Sequence, residues 1–281
     1  MQQVSQNIYV ETGFHGCNVG VLVTPEGLVM IDSPFSPSDA QVWKKELARL
    51  GQITYLVNTE HHIDHTTCNY FFPCPVIGTD QARAALDNPQ VSEAARRRAL
   101  ELAPEAAPLL EGFKLRIPTI CFSERMCLFV GGQEVRLIRL PGHTTSGLAV
   151  HIPQEGVVFT GDDIVCRQGP SFHEALPTQW RRSIDRIESL GASIVVPGHG
   201  EVCDSGYIAE FRTELEATLG AIREAIDQGL TKEETVERTE RIDCLSKYEI
   251  FRAGVPEARL QFSRVGVRRL YELFTGEIQE V

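Results

Sequence analysis

Apolar residues open the chain in short runs, "QNIYVETG" and then "NVGVLVTPEGLVMIDSP", the latter split by Pro25-Glu26-Gly27. Apolar runs bounded by turn formers read as strands, so the second predicts a hairpin. "SDAQVWKKELARLG" follows with apolar positions at helical spacing and Gly51 as its stop. "ITYLVNT" and "CPVIGT" are strand-like again. Residues 81–112 are rich in Ala, Leu, Glu and Arg and are cut by Pro89, Pro104 and Pro108. They predict broken helix, acting either as a lid over a cleft or as a crossover between strands.

Residues 113–160 return to β-like runs: "MCLFVGG", "EVRLIRLPG", "GLAVHIP" and "GVVFTGD". "TQWRRSIDRIESLG" has the pattern of an amphipathic helix, and "ASIVVPGHG" that of a buried strand ending in a loop. From about Ser205 onward the pattern is helical, including "TKEETVERTE" with its Thr-x-x-Glu cap. Strands first in hairpins and then alternating with helices predict a layered α/β sandwich, not a simple parallel sheet. The expected division is a body over 1–205 and a helical C-terminal extension over 206–281.

A chain of 281 residues with 42% hydrophobic content can bury a full core, and suits one main domain with an appendage. A net charge of −11 argues against nucleic acid or an anionic membrane as partner, since either needs a clustered basic face. The basic cluster Arg96, Arg97, Arg98 is too short for that. "MQQVSQNIYV" lacks the basic and apolar regions of a secretory signal, and no apolar run nears the roughly 18 residues of a membrane span. The expectation is a cytoplasmic protein. Its eight cysteines are scattered without a C-x-x-C pair, which predicts free, mostly buried thiols.

Four separated segments each put a His or Asp at the end of a β-like run, beside Gly or Pro. They are "EHHIDH" (60–65), "LPGHTTSG" with His143, "FTGDD" with Asp162 and "VVPGHGEV" with His199. Loops at one sheet edge can deliver such residues to one cleft. Residues 60 and 62 of an extended segment face one side, while 64 and 65 follow in the next turn and His61 points away.

The order T-x-x-H-x-D-H, G-H-T, F-x-G-D, P-G-H-G resembles the metallo-β-lactamase fold superfamily over residues 7 to about 202. The resemblance implies an αββα sandwich with a dinuclear metal site at one edge of the two sheets. It implies that Glu60, His62 and His143 hold the first metal, that Asp64, His65 and His199 hold the second, and that Asp162 bridges them. Asp32, closing the strand "LVMID", resembles the acid that hydrogen-bonds a metal-bound histidine. Glu60 departs from the superfamily's commonest pattern, which has His there. Glutamate is itself a competent ligand, so the site reads as retuned. Two divalent ions are implied, zinc first, with iron or manganese favoured by the added carboxylate.

The implied function is a metal-dependent hydrolase acting on an ester, thioester, lactone or β-lactam of a small molecule, with Asp64 moving the proton. Two other classes stay open: a diiron redox enzyme on the same fold, and a non-catalytic metal-binding module. His173, in a loop that could line the cleft, is a candidate substrate contact, while His151 is expected to be a satisfied sheet residue, Asp163 to be solvated or capping, and Cys166 to be structural. The helical tail reads as a packing surface that could serve a homodimer.

Overall fold

The computed structural model describes residues 1–239 and 257–280. Cys244 therefore lies outside the described residues. Strands β1 (Gln2–Gln3), β2 (Ile8–Glu11), β3 (Val19–Thr24), β4 (Gly27–Ile31), β5 (Ile53–Val57), β6 (Val76–Thr79) and β7 (Ile120–Phe122) form one sheet in sequence order. The second sheet runs in reverse order, β13 (Cys203–Asp204), β12 (Ile194–Val196), β11 (Val157–Phe159), β10 (Leu148–Ile152), β9 (Gln133–Arg139), β8 (Arg125–Val130). Strands β3 and β4 make the expected hairpin, with Thr24 opposite Gly27. Gly27 has φ 116°, and a Cβ there would sit 2.2 Å from Thr54 Oγ1, so only glycine closes this turn against its neighbour.

Alternation along the strands turns one face of each sheet inward. Ile8, Val10, Leu22, Val29 and Ile31 meet Val135, Leu137, Leu148, Val150 and Phe159 between the sheets. Helix α1 (Pro37–Leu50) covers the outer face of the first sheet, setting Trp43 and Leu47 against Val21, Leu28 and Met30. Helices α5 (Pro177–Ser189) and α6 (Tyr207–Asp227) cover the second, with Trp180, Ile184, Phe211 and Leu215 over Ala149, Val158 and Val195. Each large apolar side chain buried this way contributes about 1.5–3 kcal/mol. The layers are helix, sheet, sheet, helix, followed by α7 (Lys232–Thr239) and α8 (Glu257–Thr275).

Segment 81–112 falls within the connection between the parallel neighbours β6 and β7, so it makes the crossover between them. It folds as α3 (Asp80–Leu86), α4 (Pro89–Leu102) and a 3-10 stretch, Pro104–Leu110. Pro89 opens α4 at its first turn, where a missing N–H costs nothing, and Asn88 caps it by accepting from Gln90 N–H.

The sheets are tied together at one edge. Leu148 N–H donates to Thr59 O at 2.8 Å, and Asn18 Nδ2 donates to Pro197 O and Gly200 O at 2.8 and 2.9 Å. The loops after β4, β5, β9, β11 and β12 all emerge there. They carry Asp32, residues 58–65, His143, Asp162 and His199 respectively.

Candidate metal centre

The strand β5 ends at Val57, and the chain then bends through Glu60 and His61 into the single helical turn α2 (Ile63–Thr66). That bend aims Glu60 Oε2 within 3.4 Å of His62 Nδ1, which sits 3.3 Å from His143 Nε2. The following turn sends Asp64 Oδ2 to within 3.2 Å of His199 Nε2. Asp162 lies between the two groups: Oδ1 is 3.4 Å from His65 Nε2, and Oδ2 is 3.3 Å from His199 Nε2 and 3.7 Å from His143 Nε2. Glu60, His62, Asp64, His65, His143, Asp162 and His199 therefore come together at one sheet edge. His61 turns aside, with Nδ1 2.7 Å from Ser146 Oγ and Nε2 3.1 Å from Glu174 Oε2.

The donor set fits divalent cations. Asp32 Oδ2 lies 3.0 Å from His65 Nδ1 and accepts its N–H, so Nε2 is the nitrogen His65 can offer to an ion. That nitrogen faces Glu60 Oε1 and Asp162 Oδ1, and none of the three buried atoms has a hydrogen-bond partner. Two buried carboxylate oxygens facing one imidazole nitrogen are costly unless a proton or a metal cation sits among them. Ser171 O accepts from His143 Nδ1 at 2.9 Å, which likewise frees His143 Nε2. Imidazole and carboxylate donors of this kind suit zinc, iron and manganese alike.

Electrostatics point the same way. Burial alone would raise the Glu60 carboxyl, but the imidazoles of His62, His143 and His65 prevail and hold it at about 2. Burial opposes charge on His199, yet Asp162 and Asp64 pull its pKa up to about 10. Asp162 is held well below its ordinary value against burial, mainly by His199. The cluster as a whole favours positive charge at its centre.

Asp32 takes the orienting position expected for it. Besides His65, its carboxylate accepts from Thr59 N–H at 2.8 Å and Thr59 Oγ1 at 2.5 Å. It sits at φ 54°, a left-handed conformation that a non-glycine residue adopts at a cost and keeps only where its surroundings enforce it.

His173 lies inside the cluster: His62, His143 and His173 present ligand atoms within 4.8 Å of one another. Its Nε2 is 3.1 Å from His62 Nε2, and its Nδ1 is 3.0 Å from Ser171 Oγ. His62 thus meets Glu60 and His143 at Nδ1 and His173 at Nε2, while His173 Nδ1 meets Ser171.

Two expectations are corrected. Asp163 is not solvated but 2% exposed, and Oδ1 accepts the His143 backbone N–H at 2.9 Å while its carbonyl accepts from Trp180 Nε1. His151 is buried in β10, as expected, but its Nδ1 has no hydrogen-bond partner. Cys166 stays out of the cluster and donates its backbone N–H to His199 O. Ser171 and Glu174 are the positions that reading the sequence missed. Nothing in "GPSFHEALP" marks which of its polar groups fold back onto the clustered histidines.

A family model described as the metallo-beta-lactamase superfamily matches residues 12–199. The chain belongs to that superfamily. Within it, a hydroxyacylglutathione hydrolase of Cereibacter sphaeroides is 27% identical over 184 residues, covering 65% of this chain and 60% of that protein. The chain thus spans about 60% of the length of that relative. The hydroxyacylglutathione hydrolase of Brucella canis is 26% identical over 216 residues, 71% of this chain and 68% of that one. Among solved structures, a metallo-beta-lactamase family protein from Thermus thermophilus superposes with a TM-score of 0.70 at 19% identity. That match covers 98% of this chain and 95% of the other, so the shared fold takes in the helical extension as well.

Proposed function

We propose that the chain is a dinuclear metal-dependent hydrolase of a small-molecule ester or thioester. The observation that carries this reading is the meeting of Glu60 Oε1, His65 Nε2 and Asp162 Oδ1, three buried atoms without a hydrogen-bond partner whose ligand positions lie within 4.8 Å of one another. On this reading Glu60, His62 and His143 hold one ion, Asp64, His65 and His199 hold the other, and Asp162 spans both. Bound ions of this type supply a hydroxide at neutral pH and polarise a carbonyl oxygen.

The chain's own residues do the rest. Asp32 and Ser171 fix the tautomers of His65 and His143, so their Nε2 atoms stay aimed inward. Asp64, at 28% side-chain exposure, is more open than Glu60 or Asp162, at 2% and 11%. It is placed to take the attacking oxygen's proton on Oδ2 and pass it to the departing oxygen or sulfur. Thioesters are the first class to try, because relatives carry the names hydroxyacylglutathione hydrolase and atrochrysone carboxyl ACP thioesterase. Lactones and β-lactams follow.

The test is the metal content of freshly purified protein by plasma mass spectrometry, alongside a thioester, ester, lactone and β-lactam panel. The expected result is about two zinc per chain and hydrolysis of at least one thioester or ester. Asp162→Ala and His143→Ala should each lose metal and activity together. Two retained ions in either variant would overturn the ligand assignment, and iron at that stoichiometry would move the reading to redox chemistry.

A further inference from the structure

Position 60 departs from the superfamily's commonest ligand pattern, and its side chain does something a histidine could not. Glu60 is 1% exposed and its two oxygens face different pockets. Oε2 is 3.4 Å from His62 Nδ1, on the side of the first ion. Oε1 is 3.1 Å from His65 Nε2, on the side of the second, and 4.0 Å from His143 Nε2. No hydrogen bond reaches Oε1. Asp162 differs: Oδ1 faces His65 alone, and Oδ2 faces both His143 and His199.

An imidazole turned on the centre offers it one nitrogen, while a carboxylate offers two oxygens. We propose that Glu60 is a second bridging carboxylate, placing one oxygen on each ion, instead of a ligand to the first ion alone. The proposal rests on the dinuclear reading above. Under it the second pocket holds Asp64, His65, His199, Asp162 and Glu60 Oε1. Replacing Glu60 with histidine would then restore the usual ligand of the first ion and strip an oxygen from the second.

That inversion is what an experiment can read. Full-length apo protein, wild type and Glu60→His, is titrated with cobalt(II) and followed by its visible absorption, with metal counted by plasma mass spectrometry. His143→Ala and His199→Ala supply the spectra of the second and first pockets alone. Loss of the glutamate charge acts on both pockets, so the readout is the ratio of their two dissociation constants. The expected result is that Glu60→His weakens the second pocket at least tenfold relative to the first, a loss of about the size seen when even outer metal partners are removed.

Equal weakening of both pockets, or weakening confined to the first, would overturn the bridge. A wild-type protein that never takes two cobalt ions would overturn the dinuclear reading and the bridge with it. Should Glu60→His fail to fold, anomalous diffraction from the cobalt-loaded wild type decides. One glutamate oxygen within about 2.2 Å of each ion supports the bridge, and both oxygens on one ion sink it.

Discussion

Individual side chains at this centre are held by partners whose removal has calculable effects. His173 links His62 to Ser171 through its two ring nitrogens, so His173→Ala should leave the fold intact and lower metal affinity about 10–100-fold, measured by competition with a chelating dye. His173→Gln, which keeps an acceptor, should recover part of that loss. Asp163→Ala would leave the buried His143 N–H unpaired, a cost of about 1–3 kcal/mol that denaturant unfolding would register. At this scale the sequence was partly legible. The four segments that carry the proposed ligands stand out because each puts a His or Asp near the end of a strand beside Gly or Pro, while the role of each residue comes from the resemblance to the superfamily. Asp163 reads as a solvated neighbour of Asp162, because nothing in two adjacent acids says which one a tryptophan will cover.

Elements decide how closely the loops can approach. The loop after β12 passes so near the loop after β11 that a Cβ on Gly198 would lie 1.9 Å from Asp162 Oδ1 and 2.7 Å from the Gly161 carbonyl carbon. Gly198→Ala should therefore displace the Asp162 carboxylate and reduce metal stoichiometry below that of the wild type, with circular dichroism unchanged. Strands, the main helices and the hairpin turn follow from periodicity and from Pro-Glu-Gly, since both are local signals. The crossover role of 81–112 is settled by β7, a three-residue strand whose pairing with β6 spans some 40 residues and leaves no local trace.

For the whole molecule, the order of hairpins before alternating units was enough to expect a layered α/β sandwich, and the resemblance to the superfamily supplied the two sheets between helices. No helix among the described residues is long and apolar enough to cross a membrane. Ions that bind the folded state alone stabilise it by mass action, about 2.7 kcal/mol at a free concentration of 100 times Kd. Chelation should accordingly lower the melting temperature by several degrees and zinc should restore it, a reversible shift that calorimetry can follow. The packing of the tail was not legible, because its contacts reach residues 35 to 45 positions back in and before α7 and 94 positions back at Phe172 and Ala175.

Those contacts carry a consequence of their own. In α8, Arg269 Nε donates to Ala175 O at 3.1 Å, and Gly266 passes so near Phe172 that a Cβ would be 3.1 Å from it. The segment 171–175 also supplies the carbonyl for His143 and the imidazole beside His62. We expect ion binding and tail docking to be coupled through this shared loop with each favouring the other, and by reciprocity any such coupling is equal in both directions. The C-terminal helix becomes a gauge of loading that can be read without a substrate: a protease should cut the tail faster after chelation, and slower again once the ions return.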